Sequence, residues 1–297
     1  MLINSTNLRN LGVSFKASFQ GGLGQAAPLS LRVATEVPSS TKANEYGWLG
    51  KIPNVREWIG ERVIQGVEAS DYTIKNRSFE LTIGVSRDDI EDDNVGIYSP
   101  LFQEMGASTA AHRELLIFGL LKNGFSTACY DGQYFFDTDH PVLDEDGDEV
   151  SVANTDGGSG APWFLIDDSR ALKPILFQKR KDWNFVARDN PDDENVFSKK
   201  EFVYGVDARH NVGFGFWQFA WGSKQPLDAA HYATARAALG SMKGDYGRPL
   251  GITPKLLVVA PGQESAALKI VNNELGANGE TNEWRGTAEV LVCPWLA

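Results

Sequence analysis

The residues most able to do chemistry are Asp131, Asp137, Asp139 and His140, three carboxylates and an imidazole within one short segment. Side chains of these types bind divalent metals, and a metal-bound water could support hydrolysis. Their spacing does not match a helix-borne HExxH pair, and Gly132 and Pro141 punctuate the segment. A solvated loop with local turn hydrogen bonds is the plainer expectation. Asp144-Glu145-Asp146-Gly147-Asp148 has the look of a calcium loop. Its Gly falls fourth rather than sixth, however, and Thr155 stands where the twelfth-position Glu belongs. Gly213-Phe214-Gly215-Phe216 lacks the third Gly of a dinucleotide fingerprint and leads into strand-like residues. No phosphate loop or nucleophile elbow occurs. Cys129 and Cys293 have no paired spacing and read as two small, semi-buried thiols. His112 reads as a helix residue, and His210 and His231 have no evident partners. No cofactor, metal or enzymatic activity is expected.

The elements around these residues suggest a mixed α+β chain of one or two closely connected domains, 297 residues long. Its composition, 42% hydrophobic and 23% charged, is that of a globular protein, and no apolar run approaches membrane-spanning length. The start of the chain resembles neither a signal peptide nor an anchor. The net charge of −11 and the absence of a basic run argue against tight gripping of nucleic acid.

Residues 5–19 form an amphipathic pattern with Ser5 or Thr6 as caps, stopped by Gly21-Gly22. A strand-like stretch over 28–38 and a polar connector follow, so the first 45 residues read as an arm rather than a domain nucleus. Residues 62–86 alternate like a strand pair too polar to stand alone, with Phe79, Leu81, Ile83 and Val85 on one face. Such a hairpin calls for a partner surface, supplied by neighbouring copies of the chain. Ser99-Pro100 opens a helix to about 124, with Leu101, Met105, Leu115, Leu116 and Leu120 on its apolar side. A hairpin around Asp146-Gly147, a flexible loop over 154–160 and strands near 175–178, 202–206 and 212–221 come next. Asp228 caps an Ala-rich helix, and 256–260 is a buried strand. A helix over 263–271 and a closing strand over 288–293 complete the pattern.

The chain has 8 Trp, 8 Tyr and 16 Phe. Trp48, Trp58 and Trp284 stand in polar, Gly-rich contexts that make burial within one subunit look difficult, and such rings are favoured interface anchors. With Val67, Tyr72, Lys75 and Arg77 of the hairpin, they form the expected assembly interface. Deleting 67–76 should then leave a soluble subunit that fails to associate stably with its copies.

Several blocks resemble a known family. Phe19-Gln20-Gly21-Gly22-Leu23, Tyr46-Gly47-Trp48-Leu49-Gly50 and Ser86-Arg87-Asp88-Asp89 are similar to segments of the Mu-like (pro)phage major head subunit, or gene product T, family. Asp92-Asp93-Asn94-Val95-Gly96-Ile97-Tyr98, Phe102-Gln103-Glu104-Met105-Gly106, Cys129-Tyr130-Asp131-Gly132-Gln133 and Gly215-Phe216-Trp217-Gln218 continue the likeness in the same order. The resemblance implies a Hong Kong 97-like phage capsid fold. Residues 1–45 would be the N-terminal arm and 46–86 the extended loop. Residues 87–225 would form the peripheral domain, with a spine helix over 99–124, and 226–297 the axial domain with its closing strand. It also implies pentamers and hexamers that enclose double-stranded DNA in an icosahedral shell. Separate scaffold, portal and decoration proteins would be partners, and assembly would take place in the bacterial cytoplasm. Lys51 and Lys75 lie in the loop that carries cross-linking lysines in some relatives of the fold. An encapsulin-like compartment for protein cargo is the alternative within the fold, and a metal-dependent hydrolase the alternative outside it.

Overall fold

Asn4, rather than Ser5 or Thr6, caps the first helix: its side chain accepts the Asn7 N–H at 2.9 Å, satisfying one of the orphan amides of a helix start. In the computed structural model, which describes residues 1–25, 27–49, 72–276 and 279–297, this helix is α1 (Ser5–Leu23). A 3-10 turn at Leu29–Arg32 replaces the first half of the expected 28–38 strand. Then come β1 (Ala34–Pro38), β2 (Ala43–Glu45), β3 (Thr73–Lys75), β4 (Arg77–Ser86), α2 (Arg87–Glu91) and α3 (Tyr98–Lys122).

α1 runs through Gly21 and Gly22 instead of stopping there, because α3 approaches it at that point. A Cβ on Gly22 would lie 2.7 Å from the Gln103 carbonyl carbon, and one on Gly106 would lie 2.6 Å from the Leu23 nitrogen. The two glycines let the helix backbones touch. Around this crossing Leu8, Phe15 and Phe19 of α1 pack with Tyr98, Phe102 and Met105 of α3. Phe15 stacks on Phe102 at 4.4 Å between centroids. The N-terminal 45 residues are therefore built into their own subunit. β1 adds to the sheet, the buried Glu114 of α3 accepts the Ser30 N–H at 2.9 Å, and Arg32 forms a two-pronged bond to Glu289.

α3 begins at Tyr98, two residues earlier than a Ser99 cap would place it, and its 25 residues extend roughly 37 Å. Its buried stripe is Tyr98, Phe102, Met105, Gly106, Thr109, Glu114, Ile117, Phe118 and Leu121. Leu101 and Leu115, expected on the apolar side, are exposed.

The second half of the chain supplies β5 (His140–Leu143), β6 (Glu149–Val152), β7 (Thr155–Gly158), β8 (Trp163–Ile166) and β9 (Ile175–Arg188), then α4 (Glu194–Lys199), β10 (Glu201–Phe214) and β11 (Ala220–Lys224). It ends with α5 (Ala229–Gly240), β12 (Lys243–Gly244), β13 (Arg248–Pro249), β14 (Leu256–Val259), α6 (Glu264–Val271) and β15 (Glu289–Val292). β5 and β6 form the expected hairpin, with Gly147 at φ 90° in its turn. Asp228 caps α5 as the sequence indicates, accepting the His231 N–H at 2.9 Å.

Two main sheets result. The first has strand order β1-β9-β10-β4, and the second β15-β14-β8-β11-β7. The face of the first sheet toward α1 and α3 holds one core, in which Phe202, Tyr204 and Val206 meet Phe15 and Phe102. The second sheet, with α5 and α6, holds the larger core, and its strands β8 and β14 are fully buried. α3 reaches both cores, since Ile117, Phe118 and Leu121 belong to the larger one.

Two expectations change here. β4 alternates as read, but its ladder runs antiparallel to β10 from Arg77↔His210 to Ser86↔Glu201. It is a sheet strand of its own subunit rather than one arm of an isolated hairpin; the other arm, 62–70, lies outside the described residues. Residues 154–160 are not a flexible loop, because β7 pairs parallel with β11 and Asn154 is wholly buried.

Candidate assembly surface

The four residues first considered for metal chemistry do not converge. Asp137 takes local backbone N–H bonds from Tyr134 and Thr138, and the exposed Asp139 accepts from Ser151. Asp131 and His140 do meet, with His140 Nδ1 2.7 Å from Asp131 Oδ2. They are joined by Cys129, which the sequence reading treated as an isolated thiol; its sulfur lies 3.0 Å from Asp131 Oδ1. A short turn holds the group. The Cys129 N–H donates to Gln133 O at 2.8 Å, and Ala128 bridges Tyr134. His140, at the start of β5, stacks on Trp217 at 3.9 Å with ring planes 9° apart. Burial pushes the Cys129 thiol up. Burial also pushes the Asp131 carboxyl up, but the hydrogen bonds from His140 and Cys129 outweigh it and hold it low. Nothing here opens toward a substrate: His140 is fully buried and Cys129 nearly so.

Of the expected interface residues, Trp58 and Val67 lie outside the described residues, as does Lys51. Trp48 and Trp284 do find partners within the subunit, contrary to expectation. Trp48 packs against Phe216 at 5.9 Å, and Trp284 sits edge-on to Tyr232 at 5.7 Å. Tyr72 is held too, its hydroxyl accepting the Phe214 N–H at 2.7 Å, and burial pushes that phenol up to about 12. Beside it Ile74 is buried, and β3 pairs with β2. A deletion of 67–76 would therefore remove core residues, which rules it out as a clean test of assembly. Lys75 and Arg77 remain exposed, with the Arg77 guanidinium 5.6 Å from the centre of the Phe79 ring.

The exposed apolar residues the sequence reading missed lie elsewhere. Phe197 on α4 is 89% exposed, and Tyr246 (65%) and Leu275 (58%) project from loops flanking α5 and α6. Between α3 and the β4 edge of the first sheet lies a groove of about 310 Å³ lined by Phe79, Leu81, His112, Leu115, Trp183 and Trp295. Beside it His210 stacks on Phe79, His112 meets Phe79 edge-on, and Trp183 stands edge-on to both imidazoles. Burial lowers the affinity of both imidazoles for protons, that of His210 to about 4. Among the described residues no helix is long and apolar enough to cross a membrane.

Comparison with known proteins covers almost the whole of this architecture. Residues 8–296 match the family described as Mu-like prophage major head subunit gpT. The major capsid protein of Escherichia phage Mu is 45% identical over 305 aligned positions, covering all of both chains. The Mu-like prophage FluMu major head subunit of Haemophilus influenzae is 44% identical, covering 91% of this chain and 90% of its own. Among solved structures, the bacteriophage JBD30 procapsid subunit superposes with a TM-score of 0.85 at 45% identity, covering 99% of this chain and all of its own.

Proposed function

The chain belongs to the Mu-like prophage major head subunit gpT family, and from that premise we propose that it builds the icosahedral head of a Mu-like phage by associating with copies of itself. Its fold is the Hong Kong 97-like capsid fold, and it is a structural protein rather than an enzyme. The observation that carries the proposal is the end-to-end likeness to a procapsid subunit. The exposed apolar side chains of Phe197, Tyr246 and Leu275 suit a surface completed by neighbours.

Pentamers and hexamers of this subunit would close around double-stranded DNA, with scaffold, portal and decoration proteins as further partners. Assembly would take place in the bacterial cytoplasm. The net charge of −11 suits a container that must not adhere to a polyanion. The first sheet and α3 would form the peripheral domain and the second sheet the axial domain. Because β7, β8 and β11 belong to the second sheet, the division follows the sheets rather than a cut at residue 225. The extended loop read over 46–86 would reach a neighbour, and its residues 50–71 lie outside the described residues. Lys75 and Arg77 stand at its base, and the Tyr46 N–H donates to Tyr72 O at 2.9 Å across its stem.

That short stem gives a clean experiment. Residues 52–69 replaced by a short Gly-Ser linker should leave the subunit folded, because the stem residues already touch. Negative-stain microscopy should then show no closed shells. Normal heads from this variant would remove the loop from assembly.

A further inference from the structure

The proposed assembly role makes no use of the Cys129, Asp131 and His140 cluster, whose donor atoms gather in one place. One ligand atom from each residue lies within 4.8 Å of the other two. The deciding feature is Asn154. Its Nδ2 faces the carbonyl oxygens of Phe135 at 2.8 Å, Trp217 at 3.4 Å and Ala220 at 3.3 Å. Three acceptors around one amide nitrogen fix the orientation of that side chain. Asn154 Oδ1 therefore accepts from the Asp137 N–H at 2.9 Å and faces His140 Nε2 at 3.3 Å.

Facing an acceptor, Nε2 must carry the ring hydrogen. A neutral His140 then presents a bare lone pair on Nδ1, 2.7 Å from the Asp131 carboxylate. Two acceptors at that distance need something positive between them, a proton or a metal ion. The Cys129 thiol does not supply it, because its sulfur sits against the other carboxylate oxygen. A borderline-soft divalent cation satisfies all three groups at once, as thiolate, imidazole and carboxylate ligands. The hydrogen bond from Nε2 to Asn154 is the outer contact that orients metal-binding histidines. With ligand bonds of 2.0–2.3 Å, neighbouring donors in a tetrahedral zinc site stand roughly 3.5 Å apart. The contacts of 2.7 Å to Asp131 Oδ2 and 3.0 Å to Oδ1 are shorter than that, while the three ligand atoms spread over up to 4.8 Å, so side-chain rotation would open the close pairs by about 0.5–0.8 Å and draw the wider ones in.

We propose that Cys129, Asp131 and His140 form a structural zinc site that locks the turn after α3 onto the start of the β5–β6 hairpin, beneath Trp217. The entering ion displaces the thiol proton and any proton held on Nδ1, and both leave to solvent. The site gathers the segment after α3, the β5–β6 hairpin and, through Asn154, the strands at 154–158 and 220–224 into one unit.

The test uses full-length wild-type protein, purified, stripped with EDTA and titrated with Co²⁺. The expected result is one Co²⁺ per chain, with a thiolate-to-cobalt charge-transfer band and the intense visible bands of a tetrahedral ion. Zn²⁺ should displace the Co²⁺ and raise the melting temperature by several degrees. Cys129→Ser should lose the charge-transfer band, whereas Cys293→Ser, which removes the other buried thiol, should keep it. Absence of the band and of stoichiometric metal in folded wild-type protein would overturn the proposal and leave a proton in the gap. So would a band that survives Cys129→Ser. The decisive spectrum is that of the wild type, so a variant that fails to fold does not blur the outcome.

Discussion

Replacing Gly106 by Ala should break the junction between α1 and α3, although Ala is the better helix former. In an open helix the exchange would stabilise by about 1 kcal/mol. Here the new methyl would stand 2.6 Å from the Leu23 nitrogen and 3.0 Å from the Gly22 carbonyl carbon, and closer still to the Phe19 carbonyl oxygen. All of these are backbone atoms, so no side chain can rotate away. The helices must part by about 1 Å, loosening Phe15 and Phe19 from their sites, and overpacking of this kind costs about 1–3 kcal/mol or more. With only backbone atoms in the way the cost belongs at the upper end of that range, about 3 kcal/mol, and less the helix gain of about 1 kcal/mol the net loss is about 2 kcal/mol. Gly119→Ala, on the same helix with nothing within 4 Å of the new methyl, is the matched control and should gain up to about 1 kcal/mol. Urea unfolding of the two unassembled variants measures the difference, and hydrogen exchange across residues 5–23 locates it. A neutral or stabilising Gly106→Ala, or the same effect from both substitutions, would refute the account of the crossing.

Acid should weaken the subunit through the imidazole pair. The unfolded chain protonates His210 near pH 6.5, whereas the folded chain, whose imidazole affinity is lowered chiefly by burial, waits until about pH 4. Stability is therefore full above pH 6.5 and falls between pH 6.5 and 4, by about 2–3 kcal/mol from His210, with His112 adding in the same direction. Asp182 opposes the effect, while Arg113 and, at His112, Arg77 reinforce it. Melting curves of His210→Phe across that window should fall less steeply than those of the wild type, and superimposable profiles would remove the imidazole from the explanation. Phe197→Ser should leave subunit stability within about 0.5 kcal/mol, since the ring is 89% exposed. It should also lower the yield of closed particles, and unchanged assembly would take α4 out of the interface.

What could be read from the sequence was local. The Asp228 cap, the buried run of β14 and the turn at Gly147 each rest on a few adjacent residues, and each stands where expected. What could not be read depended on contacts distant in sequence. β4 seemed too polar to support itself because its partner, β10, follows more than a hundred residues later. Gly21 and Gly22 looked like a helix stop because only the approach of Gly106 shows why one of them must be glycine. Trp48 and Trp284 looked stranded because Phe216 and Tyr232 are remote in the chain. The 131–140 segment gave the right residue types but the wrong set. Tight turns send Asp137 and Asp139 outward and bring in Cys129, and the spacing of carboxylates alone could not reveal that. The resemblance, carried by short identities spread along the chain, read the family where periodicity reached only a mixed α+β class.

The measurement that bears most directly on the central claim is electron cryo-microscopy of the protein expressed in bacteria, with and without the proposed scaffold partner. The account expects closed icosahedral particles whose subunits show the β1-β9-β10-β4 sheet, the long α3 and the second sheet, with residues 50–71 lying on a neighbouring copy. A chain that stays monomeric in both cases, or shells in which that segment contacts only its own subunit, would contradict it.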